Sequence, residues 1–310
     1  MINTVTLNPA IDKIFFIKEF RRNVTSRIQN TKEDIGGKGT HVSINLKLMG
    51  MGSRAFGICH GENGRRIIEM LAAHDLQVRF VHRPTGNSRT NYVLVEDSGG
   101  STLITERGIE LEEDVLRDLL DLMQKETGYE DCLVLSGDVS NGDPKTLGRI
   151  IRELDAKKPR VFLDTSGPAL KECAGLGPYL LKPNLDELSF LCERDVSSDT
   201  DDVIAAVKSL SRYNISVFAV SLGEKGSILL SEEGIYEAAP PEVKAVNTTG
   251  CGDCFLAGLV YGYANGLPIE KTLRIATGAS AAKAESQFSV GFDPGKLDDY
   301  AARTRLRKIK

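Results

Sequence analysis

Residues able to do chemistry stand together in the stretch TTGCGDC at positions 248–254. The apolar run FLAGLVYGY follows directly and predicts that a helix begins here. Gly250 and Gly252 permit backbone conformations closed to other residues, so the first amides of that helix can converge on one point. Because the positive end of the helix dipole lies there, the stretch is typical of a seat for a phosphoryl group that gains negative charge during transfer.

Asp253 stands at the mouth of this predicted anion site. A carboxylate there would repel a bound phosphate unless it acts on a neighbouring hydroxyl. As a base it would accept the proton of a substrate alcohol that attacks the γ-phosphate of a nucleotide. The alternative is that Asp253 caps the helix, as aspartate often does. Spacing alone leaves both interpretations open.

Cys251 and Cys254 form a C-x-x-C pair at the start of the same helix. Such a pair can act in redox exchange or supply half of a zinc site. Two further zinc ligands would be needed, but the sequence has no second C-x-x-C and no paired histidines. We therefore interpret Cys254 as the start of the buried face of the helix.

A second glycine-rich stretch, DIGGKGTHVSINLKLMG at residues 34–50, also opens a predicted helix. It is not a Walker loop, because Lys38 is followed by glycine, and it lacks the G-x-G-x-x-G of dinucleotide-binding folds. Gly36 and Gly37 would let the backbone approach a small polyol closely, and Lys38 would offer a charge to an anionic substituent. An ordinary tight turn with a solvated lysine is the alternative.

LKPNLDEL at residues 181–188 places Asn184 and Glu187 on one face of a starting helix. An amide and a carboxylate beside a phosphate site can hold Mg²⁺ and its waters. The same spacing is that of a capping box, which is the favoured interpretation of this segment taken alone. AVSLGEKGSILL at residues 219–230 predicts two strands joined by a glycine-containing turn, either a plain hairpin or a lining for a nucleotide base or ribose.

Alternating strands and helices must position these residues. Apolar strand-like runs occur at 2–7, 54–58, 132–136, 160–164, 179–182 and 216–221. Segments with helical periodicity lie at 39–50, 63–75, 111–125, 143–157, 184–192 and 199–214. This alternation predicts a mainly parallel sheet covered by helices on both faces.

Two regions break the alternation. SRTNYVLVE (88–96) and STLIT (101–105) flank DSGG and predict a hairpin, and residues 13–31 read as extended chain. Together they predict a small antiparallel flap over one end of the sheet. After residue 252 the chain is predicted to be helical almost to its end, with the basic RTRLRKIK (303–310) closing a last helix rather than forming a nucleic-acid tail.

Composition argues against several classes of protein. A chain of 310 residues with 41% hydrophobic residues and a net charge of -4 gives no reason to expect nucleic acid or a membrane as partner. The N-terminus does not look like a signal peptide, and no window has the apolar length of a membrane helix. Six cysteines are too sparse for a disulfide framework, so a cytoplasmic protein is expected. Without repeats or linkers, residues 1–310 are expected to form one domain.

Taken together, these stretches resemble the ribokinase-like, or PfkB, carbohydrate kinases over almost the whole chain. The shared segments, in the family's order, are TLNPAID, GGKG (36–39), NSRTNYVLVE (87–96), KPNLDE (182–187), SLGEKG (221–226) and NTTGCGD (247–253). The last is the most specific, matching the family's G-A-G-D signature with Cys251 in place of alanine. The TLNP and N-S-R stretches resemble the branch that contains 1-phosphofructokinase and tagatose-6-phosphate kinase.

The resemblance implies a ribokinase-like three-layer α/β/α sandwich with a mainly parallel central sheet. A small β-sheet lid would be formed by segments at about 12–34 and 86–107. The donor would be ATP with Mg²⁺, and the acceptor a phosphorylated ketohexose of the fructose 1-phosphate or tagatose 6-phosphate type. A homodimer through the exposed face of the lid is also expected.

The resemblance also assigns roles by position. Asp253 would be the base, and Asn184 and Glu187 would organise the metal and the nucleotide. The anion hole would be formed by the amides of Gly250, Cys251 and Gly252. Sugar hydroxyls would be bound by Asp12, Gly36 and Gly37, and the phosphate already on the substrate by Lys38, Arg89 and Arg27. The nucleotide would be bordered by Ser221, Gly223, Gly226 and the helix around Gly278.

Two positions depart from the family's pattern. GGKG is usually followed two residues later by an asparagine that contacts the sugar, and here that residue is His41. The usual S-G-S loop ends in Asp138, which would disfavour a nearby phosphate. Both residues would hydrogen-bond different hydroxyls of the acceptor. The alternatives are therefore a kinase of an unphosphorylated sugar or nucleoside, and a non-catalytic sugar or nucleotide sensor.

Overall fold

The strands assemble into a large sheet and a small one. The structure is a computed structural model that describes residues 1–137, 139 and 142–309. In chain order the strands are β1 (Ile2–Thr6), β2 (Ala10–Ile17), β3 (Ile28–Gly36), β4 (Arg54–His60), β5 (Gln77–Arg83), β6 (Arg89–Glu96), β7 (Ser101–Thr105), β8 (Cys132–Ser136), β9 (Arg160–Asp164), β10 (Leu180–Leu181), β11 (Val217–Ser221), β12 (Ser227–Ser231), β13 (Gly234–Ala239) and β14 (Arg305–Lys308).

Helices connect most of the strands of the large sheet. In chain order they are α1 (Lys38–Leu48), α2 (Gly61–Ala73), α3 (Glu113–Glu126), α4 (Thr146–Glu153), α5 (Gly167–Ala174), α6 (Leu185–Cys192), α7 (Thr200–Ser209), α8 (Cys251–Ala264), α9 (Ile269–Ala284) and α10 (Leu297–Arg303). Within the described residues, no helix combines the length and apolar character needed to cross a bilayer.

The large sheet runs in the order β14-β13-β12-β11-β10-β9-β8-β1-β4-β5. It is parallel from β11 through β5 and antiparallel from β11 to β14, so the predicted mainly parallel sheet is confirmed. The strand β5 and the helix α5 were not predicted. The prediction that the basic end closes a helix was wrong, because Arg305–Lys308 pairs with β13 and Leu306 packs on the core beside it.

Helices cover the large sheet on both faces, so there is a hydrophobic core on each face. Successive side chains of a strand point alternately into one core and the other. On β9, Val161 and Leu163 enter the core shared with α3 to α7, whereas Phe162 enters the core shared with α1, α8 and α9. The architecture is therefore the three-layer sandwich. In such sheets ligands bind beyond the carboxyl ends of the parallel strands, which is where the site lies.

The small sheet, called the lid below, has the order β3-β2-β6-β7. Its segments agree with the predicted lid, but one pairing differs from the antiparallel flap, because β2 and β6 run parallel. The connection between them passes through β3, two helices and two strands of the large sheet, which is long enough to allow a parallel pairing. Ile14, Val93 and Val95 form its buried core, while Leu103 and Ile104 are exposed.

Candidate active site

The start of α8 has the backbone form that the sequence predicts. Gly250 is the residue before the helix, and its φ of 84° lies in the left-handed region that favours glycine. A Cβ there would stand 2.1 Å from the carbonyl oxygen of Ser289. The first amides of a helix have no partner inside it and are open to an anion. The amide of Cys251 differs, since it donates to the carbonyl of Thr248 at 3.2 Å.

A buried cation lies beside residues 247–252, the segment that leads into α8 and is called the anion loop below. Lys283 of α9 is fully buried, and its ammonium donates to the carbonyl oxygen of Asn247 at 3.1 Å. Burial lowers the pKa of Lys283 below its ordinary value. The ammonium therefore fixes the start of the anion loop from below.

Two cavities meet at the first turn of α8. A cavity of about 360 Å³ is lined by Asp12, Gly37, Lys38, His41, Arg89, Asn184, Glu187, Gly250, Gly252 and Asp253, among others. A second cavity of about 620 Å³ is lined by Ser221, Gly223, Gly226, Thr248, Cys251, Gly252, Thr277 and Ser280, among others. Gly252 and Ser221 border both. Most of the residues singled out in the sequence are thus brought to one place.

Some of the singled-out residues lie elsewhere. Arg27 is exposed on the lid and does not line either cavity. Gly278 serves close helix packing, because a Cβ there would stand 2.5 Å from the amide nitrogen of Ala301. Gly36 touches Asp12 rather than open space, with a Cβ position 2.0 Å from its Oδ1. Asp138 lies outside the described residues. Binding roles for these residues stay predictions.

Asp12 faces the smaller cavity from β2. It is buried, and its Oδ1 accepts a hydrogen bond from the side-chain amide of Asn91 at 2.8 Å. Arg89 stands nearby, with its guanidinium donating to the carbonyls of Asn8 at 3.1 Å and Glu106 at 3.3 Å. A carboxylate and a guanidinium held in this way can bind hydroxyls and an anionic group of a small ligand.

The carboxylate of Asp253 does not cap the helix. The residue lies within the first turn of α8, and its Oδ2 is 2.7 Å from Nδ1 of His41. The other ring nitrogen of His41, Nε2, is 2.8 Å from the carbonyl oxygen of Ile35. Burial acts to lower the pKa of His41, but the hydrogen bond and charge of Asp253 outweigh it and raise the pKa to about 9.

An unpredicted charge cluster adjoins the anion loop. Asp164, at the end of β9, is buried between two lysines, with Oδ1 3.1 Å from Lys38 Nζ and Oδ2 3.1 Å from Lys182 Nζ. Burial acts to raise the pKa of Asp164, yet the two ammonium groups hold it below its ordinary value. A Cβ on Gly252 would stand 3.7 Å from Lys182 Nζ, so this ammonium reaches the anion loop.

The two residues of that cluster that were not predicted, Asp164 and Lys182, left a signal in the sequence. Asp164 ends the predicted strand RVFLD, and the carboxyl ends of parallel strands are where ligands bind in open α/β sheets. Lys182 lies two residues before Asn184 in the KPNLDE stretch. Neither was singled out, because a single charged residue at the end of a strand is common.

Asn184 and Glu187 form the capping box. Asn184 Oδ1 accepts from the amide of Glu187 at 2.8 Å, and Glu187 Oε2 accepts from the amide of Asn184 at 2.9 Å. Burial, followed by the negative charge of Asp164, raises the pKa of Glu187. Among the described residues, no group of three or more His, Cys, Asp or Glu side chains is placed to hold a metal ion.

Asn184 and Glu187 fit a Mg²⁺ ion that keeps its bound waters. Mg²⁺ commonly keeps several waters and is bound through one or two carboxylates together with substrate phosphates. The capping box uses Oε2 of Glu187 and leaves Oε1 for a water of a hydrated ion, and both side chains line the smaller cavity. Glu187 and Asn184 would thus hold the ion through its waters.

The two cysteines at the start of α8 are unsuited to redox chemistry. Burial raises the pKa of Cys251, and it raises that of Cys254 well above the ordinary thiol value. Cys254 is fully buried in a core with Ala279 and Phe292. Since the thiolate is the reactive form, neither side chain is poised for exchange.

The lid closes over the smaller cavity and touches the anion loop. Leu103 and Thr105 of β7 line the cavity. The hydroxyl of Ser101 is 3.2 Å from the hydroxyl of Thr248, which lies in the loop before α8. The lid therefore forms one wall of this cavity and would keep water from part of a bound ligand.

The chain is similar to known proteins over almost its whole length. Residues 5–290 match the sequence profile of the pfkB family carbohydrate kinases. The 1-phosphofructokinase of Bacillus subtilis is 31% identical over 93% of this chain and 93% of the relative, and that of Escherichia coli K12 is 31% identical over 99% and 98%. The solved phosphofructokinase-2 of Escherichia coli in complex with substrates and products superposes with a TM-score of 0.90 at 25% identity, covering 97% of this chain and 98% of that one.

Proposed function

Because this chain belongs to the pfkB family of carbohydrate kinases, we propose that it transfers the γ-phosphoryl group of ATP to the free primary hydroxyl of fructose 1-phosphate. The relatives named 1-phosphofructokinase support this acceptor, because they match the chain over nearly its full length. Tagatose 6-phosphate is the second acceptor to consider, since it too pairs a ketohexose with a phosphate.

The observation that carries the proposal is the meeting of two cavities at Gly252. The carboxylate of Asp253 faces the smaller cavity, and the first turn of α8 lies between the two. Phosphoryl transfer needs donor and acceptor oxygens in line across the migrating group, with positive charge around it. In our proposal ATP fills the larger cavity and the sugar phosphate the smaller one.

The proposed step is a direct transfer of the phosphoryl group from ATP to the sugar hydroxyl. The sugar hydroxyl oxygen forms a bond to the γ-phosphorus, the bond from that phosphorus to the bridging oxygen of ADP breaks, and Asp253 takes the hydroxyl proton. The amides at the start of α8 and the ammonium of Lys182 stabilise the charge on the migrating group. Mg²⁺, when bound with the nucleotide, would neutralise charge on its phosphates.

Two cationic side chains support a phosphorylated acceptor. Lys38 and Arg89 both line the smaller cavity, and Arg89 is held in place by the carbonyls of Asn8 and Glu106. One observation favours the unphosphorylated alternative, because the ammonium of Lys38 is already paired with Asp164. The two acceptor classes therefore have to be separated by experiment.

ATP turnover measured against a panel of acceptors tests the proposal. The panel holds fructose 1-phosphate, tagatose 6-phosphate, fructose 6-phosphate and free ketohexoses, and Asp253→Asn provides the background. We expect fructose 1-phosphate to give the highest kcat/KM. Stimulation by free sugars alone would move the assignment to a sugar kinase. Ligand binding with no turnover above the Asp253→Asn background would indicate a sensor and end the kinase proposal.

We also propose that two copies of the chain associate through the lid. Exposed apolar residues lie on the lid and on the connection between β2 and β3, including Ile104 at 49% and Val24 at 60% exposure, a feature typical of interaction sites. Arg27 would then lie at the interface. Sedimentation velocity is expected to show a species of twice the monomer mass that Ile104→Glu converts to monomer. An unchanged mass in the variant would place the interface elsewhere. The cytoplasmic location stays a prediction.

A further inference from the structure

We propose that His41 is a positioning residue that stands beside Asp253 as an imidazolium, fixing the carboxylate and offsetting its negative charge at the point of phosphoryl transfer. The proposal rests on the proposed role of Asp253 as the base. Its first test below does not depend on turnover, so the two can fail separately.

The hydrogen bonds of His41 set its protonation state. The carbonyl oxygen of Ile35 can only accept, so Nε2, 2.8 Å away, must carry a proton. An ionised carboxylate can also only accept, so Nδ1, 2.7 Å from Asp253 Oδ2, must carry one as well. The ring is then an imidazolium. The alternative, a neutral ring that accepts from a protonated Asp253, would leave the proposed base already occupied.

The surroundings of His41 favour the charged ring. The side chain is buried on α1. Its charge interacts with those of three acidic side chains: Asp253 from α8, Asp12 from β2 and Asp34 from β3. The nearby ammonium groups of Lys38 and Lys283 interact with Asp253. A positive ring among three acidic groups is stabilised, because charge interactions are strong where water is excluded.

This pairing removes a difficulty of the site. A bare carboxylate at the mouth of an anion loop would repel the phosphoryl group of the donor. An imidazolium bonded to Oδ2 makes the pair neutral overall and leaves Oδ1 for the substrate hydroxyl. An asparagine at position 41 could donate a hydrogen bond to the carboxylate, but it could not offset the charge. His41 therefore adds a charge effect to an orienting effect.

NMR of the full chain labelled with 15N-histidine tests the protonation state directly. The chain has four histidines, so the signals of His41 are assigned by their loss in His41→Asn. We expect both ring nitrogens to be protonated at pH 7, with a pKa of about 9. In Asp253→Asn the pKa of His41 should fall below that value, since burial is then less opposed. A ring that is neutral at pH 7 in the native chain would overturn the proposal.

Kinetics test the positioning role. His41→Asn and His41→Gln keep a hydrogen-bond donor but lose the charge, and we expect kcat to fall about 10- to 10²-fold with KM little changed. The native kcat should also decline as the pH rises through about 9, where the imidazolium loses its proton, and this decline should be absent from both variants. Variants that keep the native kcat, or that keep the alkaline decline, would show that His41 does not act through its charge. Thermal unfolding of each variant separates a loss of stability from a loss of function.

Discussion

Replacing Asp253 by asparagine is expected to lower kcat by about 10²- to 10⁴-fold, the range usual for removing a general base. The change keeps the shape of the side chain and an oxygen that can accept from His41 Nδ1, but it removes the group that we propose takes the hydroxyl proton. Because the site for substrates is otherwise unchanged, KM for the sugar phosphate and for ATP should shift by only a small factor. Steady-state rates with each substrate varied in turn measure both effects.

A matched control is available on α6. Asp186→Asn makes the same chemical change at an exposed residue in the first turn of that helix, outside both cavities, and should leave kcat unaltered. If Asp253→Asn raises KM and spares kcat, the carboxylate binds the acceptor instead of accepting its proton. If kcat falls by less than tenfold, another group serves as the base.

Replacing Asp164 by asparagine is expected to destabilise the fold by about 3–5 kcal/mol, the range found when one partner of a buried ion pair is removed. The carboxylate is 1% exposed, and its loss leaves the buried ammonium of Lys182 without its counter-charge. Lys38 contributes less to this figure, because its side chain is 39% exposed and therefore screened by water. Urea unfolding followed by circular dichroism measures the difference.

The double variant Asp164→Asn/Lys182→Met is the control for this effect. It removes both buried charges, so it should be more stable than Asp164→Asn alone. Together with Lys182→Met it completes a double-mutant cycle, which gives the coupling between the two groups. A coupling energy near zero would mean that Lys182 is not stabilised by Asp164.

The pH dependence of stability follows from the direction of the shift. The pKa of Asp164 is lower in the folded chain than its ordinary value of 3.8, so the unfolded chain takes up the proton more readily. The stabilisation is complete above the unfolded value and is lost as the pH falls through the folded one. Asp164→Asn should therefore remove part of the acid sensitivity of the native chain below about pH 4. A native and variant chain that lose stability equally in acid would contradict this.

Sequence patterns predicted those features that depend on local chemistry. Parallel strands buried on both faces are continuous apolar runs, whereas the helices between them repeat their apolar residues at helical spacing. The layers of the fold could therefore be predicted from the sequence. The start of α8 could also be read, because glycines before an apolar helix favour one backbone form. The capping box of Asn184 and Glu187 is likewise a local pattern, and the structure contains it.

Features that depend on distant partners could not be read in this way. His41 and Asp253 lie 212 residues apart, and no local pattern reports which buried polar groups will meet. The strand β14 depends on the free edge of β13, so its sequence alone suited a helix end equally well. Gly278 shows a further limit, because a glycine that permits close packing against α10 has the same sequence signal as one that borders a ligand.

The shared border of the two cavities also bears on the order of kinetic events. Gly252 and Ser221 line both. If ATP and the sugar phosphate fill the two cavities as proposed, they can be bound at the same time and exchange the phosphoryl group in one displacement. A phosphorylated side chain is then not needed as an intermediate, and ADP need not leave before the sugar arrives. Initial-rate plots for such a protein intersect, whereas those of a ping-pong enzyme run parallel.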